Sequence, residues 1–216
     1  MIILFPGLAA DEALFAGIHL GTDLVHVANY FPPVDHESLH SYAARMAKTI
    51  PAADEYIFIG VSLGGMLAQE VFHFIPAEKI ILISSISSSN QKPFYFFIAK
   101  NFPLYKMLPE RWLKQIILWI SEIWTRKNEK EKIMFERMVN HAGLRLIRWG
   151  MEQALLWKQE VAPENVIHIH GNKDQVFPIR NIKADHIIEG GEHFMIVQRA
   201  QEINELLMKI IRSDAN

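Results

Sequence analysis

Residues Gly60-Val61-Ser62-Leu63-Gly64 hold one hydroxyl between two glycines. The surrounding stretch, "IFIGVSLGGMLAQEVF" at 57–72, passes from a short apolar segment into a helical pattern. The spacing matches G-x-S-x-G, in which a sharp strand-to-helix turn presents a serine hydroxyl at the rim of a sheet. The serine of such a turn takes a sparsely populated backbone conformation. Side chains two residues to either side would collide with the adjoining strand and helix, so glycine is required there. A hydroxyl held this way is a candidate nucleophile. The plainer alternative is a glycine-rich turn with an incidental serine. Met66, Leu67, Val71 and Phe72, which suit a buried helix directly after the turn, favour the first reading.

The other reactive side chains carry weaker patterns. Cysteine is absent, which removes disulfides, thiolate metal sites and thiol nucleophiles together. His168 and His170 alternate along an apolar run and could share a face, but no carboxylate or third ligand accompanies them, so no metal is expected there. His36 and His40 have helical i, i+4 spacing without the glutamate of a zinc protease motif, which fits a solvated face.

The elements that must position Ser62 recur along the chain. Short apolar runs stand at "IILF" from Ile2, "LVHVA" from Leu24, "YIFIG" from Tyr56, "IILIS" from Ile80, "VIHIH" from Val166 and "DHIIE" from Asp185. Continuous apolarity marks strands covered on both faces, as in parallel sheets. Leu39, Tyr42, Ala43, Met46 and Ile50 form one helical stripe between the second and third runs. This order predicts an α/β fold with right-handed crossovers. From Ser87 to about Gln159 the alternation breaks into several helical patterns without a clear strand, which reads as an insertion. Within it Pro109 opens a helix with Trp112, Leu113, Ile116, Ile117, Ile120 and Ile123 along one side. "RKNEKEK" from Arg126 reads as a solvated turn or helix end, a third helical pattern follows from Ile133, and a fourth from Leu144 is interrupted by Gly150. The terminal "AQEINELLMKII" from Ala200 is amphipathic and should pack back on the sheet.

With the serine turn and this alternation in place, the sequence resembles the α/β-hydrolase family over nearly its whole length. The resemblance implies a catalytic triad in chain order Ser, then Asp or Glu, then His, each beyond the carboxyl end of a strand. Gly171-Asn172-Lys173-Asp174 follows "VIHIH", and Glu192-His193 follows "DHIIEGG", so Ser62, Asp174 and His193 are the implied catalytic residues. The loop "SSISSSNQ" from Ser84, which sometimes supplies the acid, holds no carboxylate. Asp174 could also be an ordinary turn aspartate bonded to its own backbone. His186, His168 and His170 compete with His193, which alone follows the Gly190-Gly191 turn.

The family's oxyanion hole falls on the backbone N–H groups of Leu63 and Leu8, with Ala9 the alternative to Leu8. Here Phe5-Pro6-Gly7-Leu8 replaces the usual His-Gly dipeptide. Asp11-Glu12 could border the substrate entrance or cap a helix, and the cap is favoured. Met1 lies at the first central strand, so the family's antiparallel leading strands should be missing. That leaves a mostly parallel sheet of about six strands flanked by helices. The implied organisation is an α/β-hydrolase core at 1–86 and 160–216 with a helical cap insertion at 87–159.

Bulk properties agree with one enzyme-sized domain. The chain has 216 residues, 50% apolar and 21% charged, with a formal charge of -2, and no basic face of the kind nucleic-acid binding demands. The most apolar stretch, "WLKQIILWISEIW" from Trp112, is shorter than the roughly 18 residues of a membrane span and contains Lys114, Gln115 and Glu122. "IILFPG" after Met1 has no basic segment or cleavage site, so a cytoplasmic location is the default. Neither a dinucleotide glycine fingerprint nor a phosphate loop is present. The resemblance therefore implies a serine hydrolase without cofactor or metal, acting on a small or medium ester or thioester with an apolar part. The insertion's aromatics, including Phe94, Tyr95, Phe96, Phe97, Trp112, Trp119 and Trp124, should mostly pack between its helices and the sheet, and a minority should line a pocket. A slow or non-catalytic ligand-binding protein, and a lyase or cofactor-free peroxidase of the same fold, are the alternatives.

Overall fold

The computed structural model describes residues 1–103, 109, 112, 115 and 129–213. The helix expected along Leu113, Ile116, Ile117, Ile120 and Ile123, the aromatics Trp119 and Trp124, and the start of the charged turn at Arg126 lie outside the described residues.

Six strands form one sheet: β1 (Ile2–Phe5), β2 (Val25–Val27), β3 (Ile57–Val61), β4 (Lys79–Ile83), β5 (Val166–Gly171) and β6 (His186–Ile188). Their order is β2-β1-β3-β4-β5-β6 and every pairing is parallel. The central strands are buried on both faces, which is why they read as unbroken apolar runs. The edges differ from that expectation: Val25 and Ile187 face outward at 36% and 52% exposure, because an edge strand has a neighbour on one side only.

Alternation along the strands splits the core in two. Ile3, Phe5, Phe58, Ile80 and Leu82 pack with Tyr42 and Met46 of α1 (Leu39–Ala47) and with Met66, Leu67 and Val71 of α2 (Leu63–Phe72). Ile2, Leu4, Ile59, Val61, Ile81 and Ile83 pack on the opposite face against Ile203, Leu207 and Ile210 of the last helix (Ala200–Arg212). The amphipathic terminal segment thus returns to the sheet as predicted. There Lys79 Nζ donates to the Ile210 carbonyl at 2.8 Å, a cation placed on the helix's carbonyl end.

Between β4 and β5 lie a short 3-10 helix (Ser89–Gln91) and the α-helices α3 (Phe94–Asn101), α4 (Glu129–Ala142) and α5 (Leu144–Leu156). Two details depart from the sequence reading. Helix α4 is already formed at Glu129, inside the stretch read as a solvated turn or helix end and ahead of the helical pattern from Ile133, and Glu129 and Glu131 suit the positive end of a helix. Helix α5 passes through Gly150 without a break. The short helix α6 (Met195–Gln198) and the longer α7 (Ala200–Arg212) follow β6. Among the described residues, no helix is long and apolar enough to cross a membrane.

Candidate active site

The parallel sheet brings the carboxyl ends of β3 and β5 and the loop after β6 to one rim. Ser62 stands between the last residue of β3 and the first of α2, with φ 52° and ψ −121°. A residue with a side chain is strained there, and neighbouring bonds hold it in place. Its N–H donates to the Ile83 carbonyl at 3.0 Å, and its carbonyl accepts from Gly65 N–H at 3.0 Å and from Ser85 Oγ at 2.6 Å. The flanking glycines are sterically required. A Cβ on Gly60 would lie 2.5 Å from Gly65 Cα, and one on Gly64 would overlap the carbonyl oxygens of Phe5 and Pro6.

Asp174 sits in the turn after β5 with its side chain fully buried. Its two oxygens have separate partners. Oδ1 accepts from the N–H groups of Val176 at 2.8 Å and Phe177 at 2.9 Å, as a turn aspartate does. Oδ2 lies 2.9 Å from His193 Nδ1. Burial alone would raise the Asp174 pKa. His193 close by, the hydrogen bond from its ring, the Phe177 N–H and His170 outweigh that and hold it below the usual value.

His193 Nε2 is 3.0 Å from Ser62 Oγ, so the structure brings Ser62, His193 and Asp174 into one continuous line of contacts. The loops carrying the acid and the histidine are stitched together. Lys173 N–H donates to the Gly191 carbonyl at 2.9 Å, Gly190 N–H donates to Asn172 Oδ1 at 2.8 Å, and the Asn172 amide donates to Glu189. Gly190 takes φ +72°, the conformation that lets this turn bring His193 back over the sheet. Ser62 and His193 are each partly exposed, so an incoming molecule can reach them.

Leu63 opens α2, and its N–H is a first-turn donor with no partner within the helix. The loop after β1 runs alongside: a Cβ on Gly7 would come within 3.5 Å of Ser62 Cβ, and Tyr30 Oη donates to the Pro6 carbonyl at 3.1 Å. Leu8 follows in this loop, and Ala9 takes φ 62°. Helix α5 lies on top. A Cβ on Gly150 would overlap Leu8 and come 3.0 Å from Leu63 Cδ2, so the glycine that seemed to break the helix is where α5 approaches both oxyanion candidates.

The remaining candidates separate. Asp11 caps the short helix at Glu12–Phe15 through the Ala13 N–H at 3.0 Å, as favoured. His36 takes φ 59° in a turn before α1, so it lacks the helical relation to His40, which lies 2.8 Å from Glu70 Oε2. His186 lies in β6, away from Ser62's line of contacts. His168 and His170 do share a face of β5, fully buried, and among the described residues no group of three His, Asp or Glu side chains could hold a metal. Residues missed from sequence are Phe177, whose ring centroid is 5.7 Å from that of His193, and Ser85. Neither carries a pattern of its own, since their roles arise from loop proximity. Two surface grooves of about 770 and 920 Å³ lie beside α5 and α3, and neither is lined by Ser62 or His193.

No family profile and no curated protein sequence matches the chain. Solved structures do. A meta-cleavage product hydrolase from Pseudomonas fluorescens IP01 is 13% identical, with TM-score 0.69 over 100% of this chain and 91% of that one. A thermophilic esterase from Thermogutta terrifontis is 12% identical, with TM-score 0.67 over 98% and 89%. A 2-hydroxy-6-oxo-6-phenylhexa-2,4-dienoate hydrolase from Rhodococcus sp. strain RHA1 is 15% identical, with TM-score 0.67 over 98% and 90%. The parallel sheet, the serine turn at the end of β3 and this near full-length likeness together give the chain the α/β-hydrolase fold.

Proposed function

We propose that the protein is a serine hydrolase that cleaves a small or medium carboxylic ester or thioester through an acyl-enzyme. The observation that carries this function is the contact line from Asp174 Oδ2 to His193 Nδ1 at 2.9 Å and from His193 Nε2 to Ser62 Oγ at 3.0 Å. His193 Nε2 takes the Ser62 proton as Oγ attacks the carbonyl carbon. Asp174 keeps the other ring proton on Nδ1 and stabilises the imidazolium. The carbonyl oxygen gains charge opposite the N–H groups of Leu63 and Leu8 at the positive end of α2. His193 then protonates the departing alcohol or thiol, deprotonates the water that adds to the acyl carbon, and returns that proton to Ser62 Oγ as the Oγ–acyl bond breaks and the acid leaves. Each step uses groups of this chain and calls on no cofactor.

The helices between β4 and β5 act as a cap spanning 87–159 that covers the nucleophile and offers its apolar side chains to the substrate. Support comes from α5, whose Gly150 abuts Leu8 and Leu63, and from Phe135 of α4, whose ring stands 5.9 Å from Phe194 beside His193.

A serine-reactive fluorophosphonate followed by a panel of p-nitrophenyl esters and acyl thioesters tests the proposal. Labelling of wild type, none of Ser62→Ala, and turnover of at least one panel member are expected. Labelling without ester turnover would direct attention to other hydrolytic substrates, such as the meta-cleavage product and the dienoate in the names of two of the similar structures, with the same nucleophile. Absence of both labelling and turnover would leave a ligand-binding role and overturn the hydrolase.

A further inference from the structure

The strand that delivers Asp174 carries two histidines that the proposed reaction leaves unused. His168 and His170 are 1% and 0% exposed, with rings perpendicular at 5.1 Å. His170 Nε2 lies 2.7 Å from the Phe177 carbonyl oxygen, a contact only an N–H can make, so Nε2 bears the proton. In the neutral ring Nδ1 is then an acceptor. It lies 3.2 Å from His168 Nε2, which must be the donor. His168 Nδ1 is buried and makes no hydrogen bond of good geometry, although the Ser85 backbone stands near enough to this ring to favour its protonated form. Burial pushes the pKa of His168 down to about 3, against the Ser85 backbone, and lowers that of His170, so both rings favour the neutral form near pH 7, and the Phe177 carbonyl selects Nε2–H on His170.

Phe177 is where this pair meets the site. Its carbonyl accepts from His170, its N–H donates to Asp174 Oδ1 at 2.9 Å, and its ring flanks His193. One residue therefore ties β5 to the turn that holds the acid. His170 Nε2 is 3.6 Å from Asp174 Oδ2, beyond hydrogen-bond distance, which leaves that oxygen to His193.

We propose that His170, kept in its Nε2–H tautomer by His168, is a positioning residue that fixes the Phe177 peptide and through it the orientation of Asp174 toward His193. This role presupposes the assignment of Ser62, His193 and Asp174 as the catalytic set.

Two near-isosteric variants test it. His170→Asn keeps an acceptor for His168 but has no N–H at the position of Nε2, whereas His170→Gln carries an amide N–H near that position. His170→Asn should lose on the order of tenfold or more in kcat, with KM nearly unchanged and the acid limb of the kcat/KM profile displaced. His170→Gln should recover most of the rate and the original profile, a rescue that a merely space-filling role would not produce. Wild-type rates and profiles in both variants, beside an inactive Ser62→Ala, would overturn the positioning role alone. An active Ser62→Ala would instead remove the catalytic assignment beneath it. Long-range 1H–15N correlation spectra of the wild-type protein supply a readout independent of activity. They should show both histidines protonated at Nε2, and an Nδ1-protonated His170 would refute the proposal even if His170→Asn failed to fold.

Discussion

His193 Nε2 and Ser62 Oγ are 3.0 Å apart although 131 residues separate them in sequence. The two side chains arrive from different loops at the same rim, Ser62 from the end of β3 and His193 from beyond β6. Each loop is fixed by its own bonds, so the contact is preformed.

Ser62→Ala removes the attacking atom and little else, because the backbone bonds that hold the turn remain. The rate of ester cleavage should fall about 10⁴-fold or more. Thermal unfolding should be nearly unchanged. A loss under about tenfold would show that another group attacks.

Asp174→Asn keeps shape and burial but changes what His193 meets. The Val176 and Phe177 N–H groups demand the amide oxygen, which turns the amide NH₂ toward His193 Nδ1. That forces the ring proton onto Nε2, facing Ser62, where no base is left. A fall in kcat of about 10⁴-fold is expected, measured by single-turnover kinetics.

Gly64→Ala would drive a Cβ into the carbonyl oxygens of Phe5 and Pro6, which belong to backbone and cannot swing aside. A destabilisation of about 3 kcal/mol or more should appear as a lower urea midpoint. An unchanged midpoint would mean that β1 and the serine turn are not in close contact.

Gly150→Ala brings two effects of opposite sign. A helix-interior glycine replaced by alanine gains about 1 kcal/mol, while the new methyl displaces the Leu8 side chain. Stability should change by less than about 1 kcal/mol, and ester turnover should drop because the loop carrying the Leu8 N–H shifts. Equal activity of variant and wild type would remove Leu8 from the oxyanion hole.

Stability should fall as the solution is acidified. His168 titrates at about 3 when folded against an ordinary value of 6.5, so between these limits the unfolded chain binds the extra proton. Its contribution is complete above about pH 6.5 and is lost as pH falls toward 3, at about 1 kcal/mol per pH unit. Asp174, depressed below the ordinary carboxylate value, keeps its contribution until lower pH and loses it as pH falls through its folded value. Urea unfolding from pH 5 to 6.5 therefore isolates the histidines. His168→Phe should flatten that slope, and an unaltered slope would place the titration elsewhere.

Much of this was legible in order along the chain. The apolar runs predicted all six strands, the central ones because residues buried on both faces of a parallel sheet must be continuously apolar. Gly60 and Gly64 announced the turn through steric need, and Gly190-Gly191 singled out His193. Gly150 was read as a helix break, since propensity is local while its reason, contact with Leu8 and Leu63, comes from residues far away in sequence. The same holds for His36, whose spacing to His40 resembled a helix until the turn at φ 59° separated them.

By itself the sequence determined the order of strands along the chain and the strained serine turn, since each depends on a residue and its immediate neighbours, while Asp174 and His193 were picked out through the family resemblance. Tertiary structure alone decided that Asp174 divides its two oxygens between its own turn and His193, that His170 grips the Phe177 carbonyl, and that α5 leans on Leu8. Those relations are distances between segments far apart in the chain, and such distances exist only once the sheet has brought the loops to one edge.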